Sequence, residues 1–174
     1  MDRMILTDQH ISIRHASLED VEAIFQWENN KDHWFVSNTQ VPFTREQIIQ
    51  FIRFENDIYG SNQTRFMILN ADGLPLGCID LFDFDPVNMR VGVGVLIDPQ
   101  FRGKGYGKAA IALVMKYCAE ELKVRQLYAE VLESNRASQV IFESMGFTES
   151  GKKKQWMLDG ETFVDQIFYQ RLLV

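Results

Sequence analysis

Apolar and polar residues alternate in "ISIRHA" (residues 11–16), a period of two that predicts a first strand. The period lengthens after Ser17. Leu18, Val21, Ile24 and Phe25 fall on one helical face, and Asp20 stands where a capping-box acid is needed, as a shorter variant of the usual residue. Thr44 and Gln47 give a second N-terminal signal ahead of Ile48, Ile49, Phe51 and Ile52. The polar and aromatic segment between them, "ENNKDHWFVSNTQVPF", reads as a loop. "TRFMILN" and "LPLGCIDLFDF" flank Asp72-Gly73 and predict an antiparallel hairpin; "DPVN" makes the next turn. "MRVGVGVLI" is a further strand with glycine at alternate positions, 92 and 94, where a ligand or another chain is expected to approach closely.

Helical spacing returns at Ala110, Leu113, Val114, Tyr117 and Cys118, followed by a short strand "QLYAEV" and a helix "SNRASQVIFESMG" that stops at Gly146. The remaining residues form a hairpin that turns at Asp159-Gly160. The order is βαα βββ α β α ββ, without an internal repeat or linker. It predicts one domain over residues 1–174 in the α+β (mixed α/β) class, a sheet of about seven strands flanked by about four helices.

Composition narrows the partners. With 46% apolar and 12% aromatic residues, the 174-residue chain can bury a substantial core. Its net charge of −6, from 18 Lys and Arg against 24 Asp and Glu, argues against nucleic acid and favours cationic small molecules or basic peptide ends. Cys78 and Cys118 lie in apolar runs without metal-ligand spacing, so buried thiols, no metal and a cytoplasmic location are expected. No run reaches membrane-spanning length, and no membrane partner is expected.

Between the glycine-bearing strand and the helix that follows it, residues 102–108 read "RGKGYGK". A helix N-terminus offers unpaired N–H groups and partial positive charge, and glycines let an anion come close to the backbone. Arg102, Gly103, Lys104, Gly105, Tyr106, Gly107 and Lys108 are therefore a candidate diphosphate cradle. A Walker A loop ending at Gly107-Lys108 would need glycine at Arg102 and Ser or Thr at Ala109. A dinucleotide fingerprint from Gly103 would need glycine at Lys108. Neither fits.

What fits is R-x-x-G-x-G, filled by Arg102, Gly105 and Gly107, with "NRASQVIFESMGF" (Asn135 to Phe147) further on. With these two motifs in this order, the chain resembles the GNAT superfamily of acetyl-coenzyme A-dependent N-acetyltransferases. "DGETFVDQIFY" is similar to the branch containing ribosomal-protein N-terminal alanine acetyltransferases and spermidine N-acetyltransferases. The resemblance implies a GNAT-like, mostly antiparallel sheet splayed at its fourth and fifth strands. It implies acetyl-CoA as co-substrate, lying along residues 90–97, with a backbone N–H near Val95, Leu96 or Ile97 holding the thioester oxygen.

The chain departs from the family twice. Phe142 replaces the tyrosine that protonates the coenzyme thiolate in many members, and Gly92 stands where a strand glutamate often serves as base. The resemblance then implies Ser138 as donor to sulfur, Phe142 packing on the pantetheine, and Asn135 as a pantetheine contact or a helix N-cap. Base candidates are Asp80, Asp83 and Glu28, with His33 as a lesser one; Asp80 and Asp83 have opposite parity and should face opposite sides of the sheet. Trp27, His33, Trp34 and Phe35 could wall an acceptor pocket or serve as core. "GKKKQW" reads as a solvated turn whose lysines could meet the coenzyme's 3′-phosphate. The expected activity is transfer of acetyl to a primary amine, either a small molecule such as a polyamine or a protein N-terminus, by a monomer or homodimer. The alternative is a catalytically weak coenzyme A sensor of the same fold.

Overall fold

The computed structural model describes residues 4–30 and 41–173. Among the described residues, eight strands form one sheet in the order β1-β2-β3-β4-β5-β6-β8-β7. The strands are β1 (Met4–Thr7), β2 (Ser12–His15), β3 (Thr64–Leu69), β4 (Pro75–Asp85), β5 (Arg90–Ile97), β6 (Gln126–Leu132), β7 (Thr148–Asp159) and β8 (Thr162–Leu172). Helices α1 (Val21–Glu28) and α2 (Arg45–Gln50) cover part of one face, α2 running on into a π-helical turn at Phe51–Glu55. Helix α3 (Tyr106–Glu120) covers the other face, and α4 (Arg136–Ser144) follows β6. The expected mixed α/β GNAT-like architecture is present, with one strand more than the alternation suggested. That strand is β1, an edge piece of four residues antiparallel to β2.

Local chemistry sets the element ends. Thr44 Oγ1 accepts from Gln47 N–H at 3.2 Å while Gln47 Oε1 accepts from Thr44 N–H at 2.8 Å, a complete capping box. Asp20 reaches back to the Ser17 N–H at 2.7 Å, as its spacing predicts. Its carboxylate also takes two bonds from Arg14, at 2.6 and 2.8 Å, which pins α1 to β2. Helix α4 ends at Gly146, whose φ of 79° is left-handed.

The period-two pattern divides the core between the two faces. Ile13, Phe66, Ile79, Leu81, Val91, Val93, Leu127 and Ala129 face α3, packing with Ala110, Ile111 and Val114. Met67, Leu69 and Cys78 face α1 and α2, with Ile24, Trp27 and Ile48. Trp27, a candidate pocket wall, is 7% exposed in this second core. Parity fails within β4. Asp83 has a φ of 49°, the β4–β5 register shifts between Phe82 and Asp85, and Phe84 joins Leu81 in the main core. A bulge therefore re-aims Asp83 and removes the simple opposition to Asp80 expected from alternation.

Candidate active site

The first part of the site lies where β5 meets α3. Asp98 caps a short turn (Pro99–Phe101) through the Gln100 N–H, and the chain then passes through Gly103 (φ 75°) and Gly105 (φ 82°). A Cβ at either glycine would meet nothing within 4 Å, so backbone hand rather than crowding requires glycine there. Among the described residues, no main-chain carbonyl accepts from the N–H groups of residues 103–108. These donors stand at the N-terminus of a 15-residue helix, the arrangement that suits a diphosphate. Lys104 and Lys108 are exposed beside them. Arg102 is drawn back, its Nε donating to Ile97 O at 3.0 Å. Tyr106 packs against the main core. Gly107 is buried, and a Cβ there would lie 3.5 Å from Ile141 and 3.7 Å from Ile97, so its smallness serves the seating of the helix.

The second part is the gap in the sheet. Parallel pairing of β5 with β6 covers only Arg90↔Gln126, Val91↔Leu127 and Gly92↔Tyr128. From Val93 to Ile97, β5 pairs with β4 alone, leaving one backbone edge unmatched. This is the expected splay. A cavity of about 820 Å³ opens on this edge. Val93, Gly94 and Val95 line one wall, and Leu132, Asn135, Ser138 and Phe142 stand on another. Leu96 and Ile97 turn their side chains into the two cores instead. Asn135 is the N-cap of α4, its Oδ1 accepting from Ser138 N–H at 3.1 Å. Phe142 is 3% exposed and meets Phe147 edge to face at 5.0 Å between centroids. It is a core residue with a share in the cavity wall.

The two strand glycines are not equivalent. A Cβ on Gly92 would lie 2.3 Å from the Phe82 ring, so that position is already filled by protein. Gly94 has only one neighbour, Phe82 Cε1 at 3.8 Å, and opens to the cavity.

The third part is a half-buried charge cluster lining the same cavity. Arg65 on β3 donates from Nε to Asp80 Oδ1 and from a terminal nitrogen to Asp80 Oδ2, both at 2.7 Å. A second terminal nitrogen lies 2.6 Å from Glu28 Oε1 at the end of α1. Burial opposes the charge on Arg65, but the Asp80 and Glu28 carboxylates outweigh it and hold the guanidinium firmly protonated. Glu55, Glu130, Phe43, Phe51, Phe82 and Trp156 line the same space. Of the three carboxylates considered as base, the structure brings Asp80 and Glu28 together and separates Asp83. The Asp83 carboxylate accepts from Tyr128 Oη at 3.1 Å and lines a neighbouring recess with Asp85, Arg90 and Phe168.

One further expectation is corrected, and another falls outside the described residues. "GKKKQW" is not a turn but the middle of β7; Lys152 donates to Glu133, just beyond β6, and Lys153 to Glu130 on β6, each at 2.5 Å. Lys152 and Lys153 are thus engaged by carboxylates at the β6 side of the sheet. His33, Trp34 and Phe35 lie outside the described residues. Sequence reasoning missed Arg65, Phe82, Glu130 and Trp156. Only Trp156 carried a signal, its place on the final hairpin.

Known proteins share this fold. Residues 10–148 match the sequence profile of the acetyltransferase (GNAT) domain. YdaF of Bacillus subtilis (strain 168), provisionally named a ribosomal N-acetyltransferase, is 30% identical over 173 residues, covering 95% of this chain and 92% of that protein. Spermidine N(1)-acetyltransferase of Escherichia coli (strain K12) is 25% identical over 146 residues, 82% of this chain and 75% of the relative. Among solved structures, the spermidine N-acetyltransferase of Vibrio cholerae in complex with CoA and spermine superimposes with a TM-score of 0.86 at 19% identity, covering 95% of this chain and 97% of that one. The Vibrio cholerae enzyme has also been solved as a dodecamer.

The chain belongs to the GNAT acetyltransferase family. It is an N-acetyltransferase that uses acetyl-CoA as acyl donor, and its relatives are named as enzymes rather than sensors. Among the described residues, no helix is long and apolar enough to cross a membrane.

Proposed function

We propose that the protein transfers acetyl from acetyl-CoA to a cationic primary amine of the polyamine type, by direct attack with both substrates bound. The observation that carries this reading is the meeting, in one cavity, of the unpaired β5 edge with the Glu28–Arg65–Asp80 cluster. The cavity wall holds four carboxylates (Glu28, Glu55, Asp80, Glu130) against the guanidinium of Arg65 and the Lys153 ammonium paired with Glu130, leaving an excess of negative charge suited to an ammonium. Phe43, Phe51, Phe82 and Trp156 supply apolar walls for a methylene chain. Relatives named spermidine N-acetyltransferases support the same acceptor class.

The co-substrate supplies a thioester carbonyl and a thiolate leaving group. Amides of residues 103–108 would hold its diphosphate, and the edge of β5 at residues 93–97 would align its arm. An alkylammonium with a pKa of about 10.4 is free base in only a few molecules per ten thousand at neutral pH. Asp80 and Glu28, or water held by them, would draw off the first proton. The amine nitrogen then bonds to the carbonyl carbon, a β5 N–H faces the oxygen where negative charge grows, and the carbon–sulfur bond breaks. The nitrogen releases its second proton as the thiolate takes one, with Ser138 donating a hydrogen bond to the sulfur. The products are the N-acetylamine, free coenzyme A and one proton.

The test is thiol release from acetyl-CoA against spermidine, spermine, a simple monoamine and an alanine-terminated peptide. Turnover with polyamines at the highest kcat/KM is expected. Turnover of the peptide alone, or saturable acetyl-CoA binding with no thiol released, would overturn the reading.

A further inference from the structure

Strand register places two rungs of the sheet side by side on the face that carries α1. In the first, Arg65 pairs with Asp80 and Asp80 with Gly94. In the second, Phe82 pairs with Gly92 and Gly92 with Tyr128. The second rung is closed by rings. Phe82 fills the space over Gly92 and meets Tyr128 edge to face at 5.8 Å, and Tyr128 in turn stacks on Phe168 at 5.2 Å. The first rung ends in empty space, because Gly94 carries no side chain and β6 has already diverged.

From these relationships we infer that the bare position at Gly94, walled by Asp80 and floored by the Phe82 ring, is the seat of the attacking amine, and that Phe82 sets the acceptor's depth. The inference rests on the acetyltransfer reading above and extends it to two residues. Direction supports it. Side chains of β5 leave the strand perpendicular to the sheet, so the void at Gly94 opens on the same face as Asp80 and Leu96. The edge offered to the pantetheine lies instead in the sheet plane. Gly94 therefore makes room for the second substrate, and an amine resting there lies beside a carboxylate on one side and the unpaired β5 edge on the other. The Phe82 ring blocks deeper entry and gives the carbon next to the nitrogen an apolar floor.

The test is Gly94→Ala. A Cβ there makes only an ordinary 3.8 Å contact, so the variant should fold and melt like the wild type, whereas Gly92→Ala, aimed into the Phe82 ring, should melt lower. For Gly94→Ala, acetyl-CoA affinity by calorimetry is expected to stay within about twofold, while kcat/KM for the amine falls by roughly tenfold or more. Phe82→Leu is the second variant. It should raise turnover of an amine methylated on the carbon beside nitrogen relative to its unbranched parent. Wild-type-like amine kinetics in Gly94→Ala, or loss of acetyl-CoA affinity equal to the loss of turnover, would overturn the inference while leaving the acetyltransfer reading intact. Failure of the wild type to acetylate any amine would overturn both.

Discussion

Trp27 Nε1 donates to Asp98 Oδ2 at 2.9 Å, joining helix α1 to the turn between β5 and the glycine loop. The other carboxylate oxygen accepts the Gln100 N–H at 3.1 Å. The residue after Trp27 is Glu28, so one side chain couples the carboxylate cluster to the start of the loop proposed to hold the diphosphate. Asp98→Ala should cost about 1.5–3 kcal/mol, the loss of a hydrogen bond to a charged group. It should also weaken both acetyl-CoA affinity and acceptor KM. Chemical denaturation and calorimetry measure the two effects; a stability loss with unchanged affinities would limit Asp98 to a structural role.

Gly103 and Gly105 are left-handed and uncrowded, which separates strain from occlusion. Gly105→Ala should cost about 1–2 kcal/mol for a side chain in that region of backbone space, with no steric clash in the protein. Gly105→Glu sets a negative charge where the diphosphate is proposed to lie and should abolish acetyl-CoA binding in a protein that still folds. Near-native affinity in calorimetry would place the diphosphate elsewhere.

The Arg14–Asp20 pair predicts part of the acid limb of stability. Burial works against ionisation of Asp20, yet the Arg14 and Ser17 hydrogen bonds prevail and hold its carboxyl below the ordinary range. A depressed carboxyl contributes stability above its unfolded pKa of about 3.9, and loses that contribution as pH falls through the folded value. The Asp20 side chain is 2% exposed, so Asp20→Asn should cost about 3 kcal/mol at neutral pH by leaving Arg14 without its charge partner. The variant's melting temperature should also fall less between pH 5 and pH 3 than that of the wild type. Equal slopes would count against the assignment.

Burial pushes the thiols of Cys78 and Cys118 up to about 12 each, and neither forms a disulfide. At pH 8 the thiolate population is negligible. A disulfide reagent should therefore find almost no fast-reacting thiol in the folded protein and two after denaturation. Thiol release from acetyl-CoA can then be followed with the same reagent on a flat background. Rapid labelling of the native protein would contradict the burial of these residues.

Much of this architecture could be read directly from residue order. Caps at Thr44 and Gly146, the turns at Asp72-Gly73 and Asp159-Gly160, and the glycine loop before α3 depend on local chemistry that a few neighbouring residues encode. The local geometry of the candidate site was legible where it follows from such motifs, as in the left-handed Gly103 and Gly105 and the N-cap Asn135 bonded to Ser138. Arg65 was not, because nothing in "TRFMILN" reveals that an arginine on a strand will be gripped by carboxylates from β4 and α1. The function of Gly92 was misread for a similar reason: its missing side chain answers to Phe82 on the adjacent strand. Alternation also broke where the backbone inserts a bulge at Asp83, and the lysine run looked like a turn because strand β7 lies at an edge where polar residues are tolerated.

The aromatic rung across Phe82, Gly92 and Tyr128 stands at the last position where β5 and β6 are paired. The divergence of the strands thus begins where a rung closed by the protein's own rings ends. Because ring packing rather than ladder hydrogen bonds holds this margin, the width of the cleft answers to side-chain volume at Phe82 and Tyr128.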